Sequence, residues 1–119
     1  LENINLGNNL EYDDVLNFFK NLEINIDEIF DDGLNHFIEE DSKNISGGER
    51  QLICLARSFL KNADIYILDE FSNHLSLKIE NSIKKFISNQ KDKTFLIITH
   101  EESQVHDWKE INFSKGRMK

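Results

Sequence analysis

The sequence has no proline, a single cysteine and no uninterrupted apolar run close to the roughly 18 residues of a membrane span. The lone Cys54 excludes an internal disulfide. It lies on the apolar side of a predicted helix and is expected to pack in the core as a small hydrophobe. No His or Lys flanks it to make it a reactive thiol. No secretory-leader pattern is present, and a reducing, cytoplasmic setting fits. Basic residues are outnumbered, 14 against 22 acidic, for a net charge of −8. That balance argues against a nucleic-acid face, which would need a clustered basic surface, and against a polybasic membrane anchor. The five glycines are Gly7, Gly33, Gly47, Gly48 and Gly116. None precedes a lysine, so no G-x-x-x-x-G-K phosphate loop lies in this chain. His36, His74, His100 and His106 show no zinc spacing.

What is present suffices for one domain or part of one, with a small core: hydrophobic residues make up 39% of the 119. Residues 1–10 read as loop around Gly7-Asn8-Asn9. Asp13 and Asp14 open a helical pattern through Val15, Phe18, Phe19 and Leu22. A shorter apolar set, Ile24, Ile26, Ile29 and Phe30, closes at the turn Asp31-Asp32-Gly33. Residues 34–45 are irregular and polar. A helix is then predicted from about Gly47 to Leu60, with Leu52, Ile53, Ala56, Phe59 and Leu60 on one side. The continuous apolar runs Ile65-Tyr66-Ile67-Leu68 and Phe95-Leu96-Ile97-Ile98 flank a helical pattern through Ile79, Ile83, Phe86 and Ile87. Strand, helix and strand make a βαβ unit, and continuous apolar strands imply a parallel sheet covered on both faces. Ile111-Asn112-Phe113 reads as a last short strand, turning at Lys115-Gly116.

Three sets of residues carry chemistry. Ser46-Gly47-Gly48-Glu49 has the form of a capping box, with Ser46 as N-cap and Glu49 as third helical residue. The two glycines leave the first turn without side chains, so a phosphate could approach its N–H groups and the positive end of the helix dipole. Asp69 and Glu70 stand where the first apolar strand stops, and ligands of open α/β sheets bind beyond the carboxyl ends of strands. One carboxylate there suits Mg²⁺ and one can orient or deprotonate a water. More plainly, both acids could cap the turn Phe71-Ser72-Asn73. His100 ends the second strand, on the same edge as the acids, and could donate to a phosphoryl oxygen or simply cap a helix at Glu101.

Taken together and in this order, these residues resemble the ATP-binding-cassette (ABC) ATPases. Ile45-Ser46-Gly47-Gly48-Glu49 is similar to their signature, L-S-G-G-Q, and Ala56-Arg57 to the A-R that follows. Ile65 to Glu70 resembles the Walker B strand, residues 71–76 stand at the D-loop position, and His100 matches the switch histidine. Glu2-Asn3-Ile4 is similar to the segment after the family's Q-loop, Asp32-Gly33-Leu34 to the exporter-type helical subdomain, and Gly116-Arg117 to the K-G-R-I ending of exporter cassettes.

The resemblance implies an α/β fold. It would be a P-loop NTPase-like cassette fragment, with a helical signature subdomain at 1–62 and part of a RecA-like parallel-sheet core at 63–119. It implies ATP and Mg²⁺ as cofactors. Ser46, Gly47, Gly48 and Glu49 would form the nucleotide-facing turn, Asp69 the metal-associated acid, Glu70 the catalytic base and His100 its partner in catalysis. The implied partners are a second cassette, paired head to tail, and a transmembrane domain at the cytoplasmic face of the membrane. Neither nucleic acid nor direct membrane insertion is implied. The whole protein would hydrolyse ATP to drive export.

Three departures stand out. The Walker A loop, Q-loop glutamine and adenine-stacking aromatic are not in the chain, which reads as the C-terminal half to two-thirds of a cassette and is expected to be inactive alone. Glu49 replaces the usual Gln, and both complete a capping box. The D-loop S-A-L-D becomes Asn73-His74-Leu75-Ser76, which puts signalling between the two sites of a dimer in question. Asn73-His74-Leu75 is also similar to the N-H-L-D of the soluble ABC-F translation factors. Without the Walker A strand and helix, an apolar sheet face is expected to lie bare, leaving the chain marginally stable or self-associating.

Overall fold

A computed structural model describes residues 1–5, 9–39, 41, 43–100, 108–114 and 117–118. The elements are α1 (Glu2–Asn5), α2 (Tyr12–Asn21), α3 (Gly47–Leu60), β1 (Ile65–Asp69), α4 (Leu77–Asn89), β2 (Thr94–Ile98), β3 (Phe113–Ser114) and β4 (Arg117–Met118), with 3₁₀ turns at Ile26–Glu28 and Gly33–Asn35. The sequence-based expectation of a loop over residues 1–10 is corrected by α1: four residues are too few to show a helical period. Gly7, Asn8, Glu101, His106, Lys115 and Gly116, named above, lie outside the described residues.

Each longer helix begins at a side-chain cap. At the start of α2 the Asp14 side chain accepts from Glu11 N while Asp14 N donates to the Glu11 carbonyl, and at the start of α3 Ser46 and Glu49 form a full reciprocal box. Ser76 Oγ accepts from Ile79 N at the start of α4. Ser76 thus fills the N-cap position where the family pattern has Asp, and either residue can cap a helix. Gly33 sits at φ +51°, where a Cβ would come within 2.2 Å of Asp27 Oδ1, so the turn between the two 3₁₀ segments requires glycine.

The core is a single cluster that crosses from the helical half into the sheet. Val15, Phe18 and Phe19 of α2 meet Leu52, Ile53, Leu55, Ala56 and Phe59 of α3, with Ile24, Ile26, Phe30 and Leu34 beneath. An aromatic chain then carries it onward. Phe18 packs on Phe59 and Phe86, Phe59 on Tyr66 and Phe95, and Tyr66 stacks on Phe95 at 4.8 Å. Such pairs add to the area they bury by roughly 0.5–1.5 kcal/mol each. Arg57 Nε also donates to the Asn3 carbonyl, tying α1 to α3.

Cys54 is exposed, correcting its expected burial. The buried arc of α3 runs through Leu55, Phe59, Leu52, Ala56 and Ile53. At about 100° per residue, Cys54 falls opposite the middle of that arc.

β1 and β2 pair in parallel, in register from Ile65↔Thr94 to Asp69↔Ile98, and α4 supplies the crossover that parallel strands need. The expectation of cover on both faces is corrected. Tyr66 and Leu68 are buried on the inner face, with Phe95 and Ile97 packed beside them. On the outer face Ile65, Ile67, Leu96 and Ile98 are 65%, 67%, 53% and 47% exposed. Apolar runs suited to two buried faces therefore find only one layer among the described residues. The last pairing is the short antiparallel Phe113↔Met118 and Ser114↔Arg117; Ile111 and Asn112 lie before the strand.

Candidate functional site

The signature turn is completed by its own side chains. Glu49 N donates to Ser46 Oγ (3.1 Å), and Ser46 N donates to Glu49 Oε2 (2.9 Å). The Ser46 carbonyl accepts from Arg50 N (3.0 Å), closing the first helical turn. The N–H groups of Gly47 and Gly48 have no acceptor among the described residues. Ser46 and Gly47 are exposed, while Gly48 and Glu49 are half-buried. The turn therefore presents two free donors and a hydroxyl at the positive end of a helix of 14 residues.

The glycines are not bare on every side. A Cβ on Gly48 would lie 2.4 Å from the His74 carbonyl oxygen, and one on Gly47 would lie 3.3 Å from His74 Cγ. The segment after β1 folds back over the turn, and Gln51 Nε2 donates to the Phe71 carbonyl (3.2 Å). His74 and Gln51 were not singled out as site residues from the sequence. Neither shows a periodicity or spacing that would reveal which part of the chain approaches the glycines.

Asp69, Glu70 and His100 form the second group, at the carboxyl ends of β1 and β2. Inward and outward residues alternate along β1, which puts Asp69 on the exposed face with Ile65 and Ile67. Glu70 N continues the ladder by donating to the Ile98 carbonyl (2.9 Å). Glu70 then turns away at φ +48°. Its Oε1 lies 3.2 Å from His100 Nε2, with His100 almost wholly exposed. That same oxygen is buried and receives no hydrogen bond of good geometry. A buried carboxylate oxygen without a proper donor is costly unless something supplies one, so the site fits a water or cation ligand there. No cluster of three or more metal-binding side chains occurs among the described residues. Two carboxylates fit Mg²⁺ only where phosphates and waters provide most of the shell.

The parallel register brings Glu70 and His100 together across 30 residues of sequence, and the loop over residues 71–76 that follows Glu70 meets the signature turn at His74. A family model described as ABC transporter matches residues 5–73, more than half of the chain. The chain belongs to the ABC transporter family. The match covers the signature and Walker B strand, and His100 lies beyond it.

Several ATP-dependent lipid A-core flippases are similar to this cassette segment. That of Aliivibrio fischeri is 42% identical over 82 residues, covering 68% of this chain and 14% of the flippase. A second, from Colwellia psychrerythraea, is 40% identical over 88 residues, covering 72% and 15%. That of Pasteurella multocida is 36% identical over 85 residues, covering 71% and 15%. The chain spans about one-seventh of the length of these curated relatives. It is part of an exporter-like nucleotide-binding domain, and its helices and small parallel sheet are compatible with part of a P-loop NTPase fold. No helix among the described residues is long and apolar enough to cross a membrane.

Proposed function

We propose that this chain supplies the signature turn and the Walker B acid pair of a cassette that binds and hydrolyses ATP in a head-to-tail dimer to drive export. The observation that carries this is the meeting of Glu70 and His100, 3.2 Å apart at the carboxyl ends of two parallel strands. Glu70 would polarise the attacking water and His100 would steady the transferring phosphoryl group, a reaction that depends on positioning and electrostatics. Asp69 would hold Mg²⁺ through water, and the ion would neutralise charge developing on the phosphates. Asp69 shares its face with exposed Ile65 and Ile67. A layer covering that face could therefore bring nucleotide to it.

Ser46, Gly47 and Gly48, with Glu49 holding the cap, would contact the γ-phosphate of ATP on another polypeptide, since this chain has no phosphate loop. Residues 1–62 would act as the signature subdomain and 63–119 as part of the core. A transmembrane domain at the cytoplasmic face of the membrane would be the other partner. The relatives are named as lipid A-core flippases, which supports an export role for the whole protein. Alone, the chain is predicted to have negligible ATPase activity.

The test is made in the full-length parent. Glu70→Gln should lower ATP turnover by about 100-fold or more, the scale of a lost general base. Turnover within about threefold of wild type would remove Glu70 from that role.

A further inference from the structure

The loop over residues 71–76 is anchored at both ends and carries a left-handed residue between them. Phe71 is buried, and its carbonyl accepts from Gln51 Nε2. Ser76 caps α4. Between these anchors Asn73 N donates to the Glu70 carbonyl and Leu75 N to the Ser72 carbonyl, each at 3.1 Å. His74 lies at φ +66°, in the left-handed region that few non-glycine residues adopt, His and Asn more readily than most and β-branched residues least. His74 is exposed, and the signature turn meets it on one side. The two glycines meet it differently: Gly48 faces its main-chain carbonyl, whereas Gly47 faces its side chain. A side chain can swing aside, but a carbonyl in an anchored loop cannot.

We propose that His74 is a positioning residue. Its carbonyl, seated in the notch that Gly48 leaves, locks the signature turn to the loop that begins at Glu70. The free Gly47 and Gly48 N–H groups and the Glu70–His100 pair then keep one fixed relation. The group that faces another polypeptide's phosphate moves together with the group that serves the chain's own site. This consequence rests on the function proposed above; the mechanical link does not. It also gives the glycines separate roles: Gly48 is required by the loop backbone, and Gly47 leaves room for the His74 side chain.

Amide hydrogen exchange on the 119-residue chain, without nucleotide, tests the link. The reporters are the hydrogen-bonded amides of Asn73 and Leu75. Gly48→Ala should speed their exchange about tenfold or more, and Gly47→Ala by less than about threefold. Gly48→Ala could instead loosen α3 as a whole, so position 74 provides a second pair. His74→Asn tolerates the left-handed region and should keep protection. His74→Val, β-branched, should lose it. Equal effects of the two alanines, or wild-type exchange in His74→Val, would overturn the link.

In the full-length parent, His74→Val should lower kcat about tenfold with KM within about twofold, and His74→Asn should restore it. If His74→Val leaves kcat unchanged while Glu70→Gln abolishes turnover, the positioning role is overturned and the proposed function stands. If Glu70→Gln leaves turnover intact, the function fails on its own, whatever the exchange data say of the link.

Discussion

The helical half and the sheet use the same kinds of residue and reach opposite outcomes. In residues 12–60, apolar side chains at helical spacing turn inward and are covered. Val15, Phe19, Leu22 and Leu52 are almost wholly buried. In the sheet, strands equally apolar cover only their inner face, leaving Ile65, Ile67, Leu96 and Ile98 largely exposed. A helix of this kind needs one partner surface, and α2 and α3 supply it to each other. A parallel strand needs two, and here α4 with the α3 side of the core provides one. The apolar faces of the helices are therefore covered by the chain's own residues, whereas the sheet face that carries Asp69 is not covered among the described residues.

Truncation on the two sides should separate them most strongly. Phe19→Ala should destabilise the chain by about 3–5 kcal/mol, enough to unfold a small domain. Ile67→Thr on the outer face should change stability by less than about 1 kcal/mol. Denaturant melts would show both. Sedimentation should show the outer-face variant self-associating less than wild type, since an exposed apolar patch is a contact surface. Similar stability losses at the two positions would mean that the sheet face is covered in solution and the contrast is false.

A smaller effect sharpens the account of α3. Ser46→Ala removes the cap acceptor for Glu49 N and should cost about 1 kcal/mol in a thermal melt, while Ser46→Asp should recover most of it. A Ser46→Ala chain as stable as wild type would mean that the capping box adds nothing.

The smallest effect concerns a joint between the halves. Glu23, after α2, pairs with Lys85 of α4, and the hydrogen bond and charge of Lys85 hold its carboxyl below the usual value. A carboxyl depressed in the folded state adds stability above its unfolded pKa and loses it as pH falls through the folded one. Lys85→Met should therefore lower Tm slightly near neutral pH, and the difference from wild type should vanish in acid. Both groups are exposed, so the effect is slight. A difference that grew on acidification would contradict the pairing.

Legibility in the sequence followed the same division. The bounds of α3, Gly47 to Leu60, were readable because a capping box starts the helix and an apolar period sustains it. The two strands were readable as continuous apolar runs, and a parallel pairing was enough to put His100 beside Glu70. The bare outer face could be anticipated only from what the resemblance says is missing, because a run such as Ile65-Tyr66-Ile67-Leu68 does not reveal how many layers cover it. Cys54 sits among apolar neighbours in the sequence, yet the buried arc of α3 passes it by. The contact of His74 with Gly48 left no trace in the sequence. It depends on a left-handed residue and a fold-back that no short spacing encodes.

Equilibrium titration of the purified chain with Mg²⁺ and ATP tests the central claim most directly. The signature turn is assigned to a phosphate held elsewhere, so the account predicts no saturable binding up to millimolar nucleotide, on the order of −4 kcal/mol or weaker. Stoichiometric, Mg²⁺-dependent binding of ATP to the chain alone would contradict it.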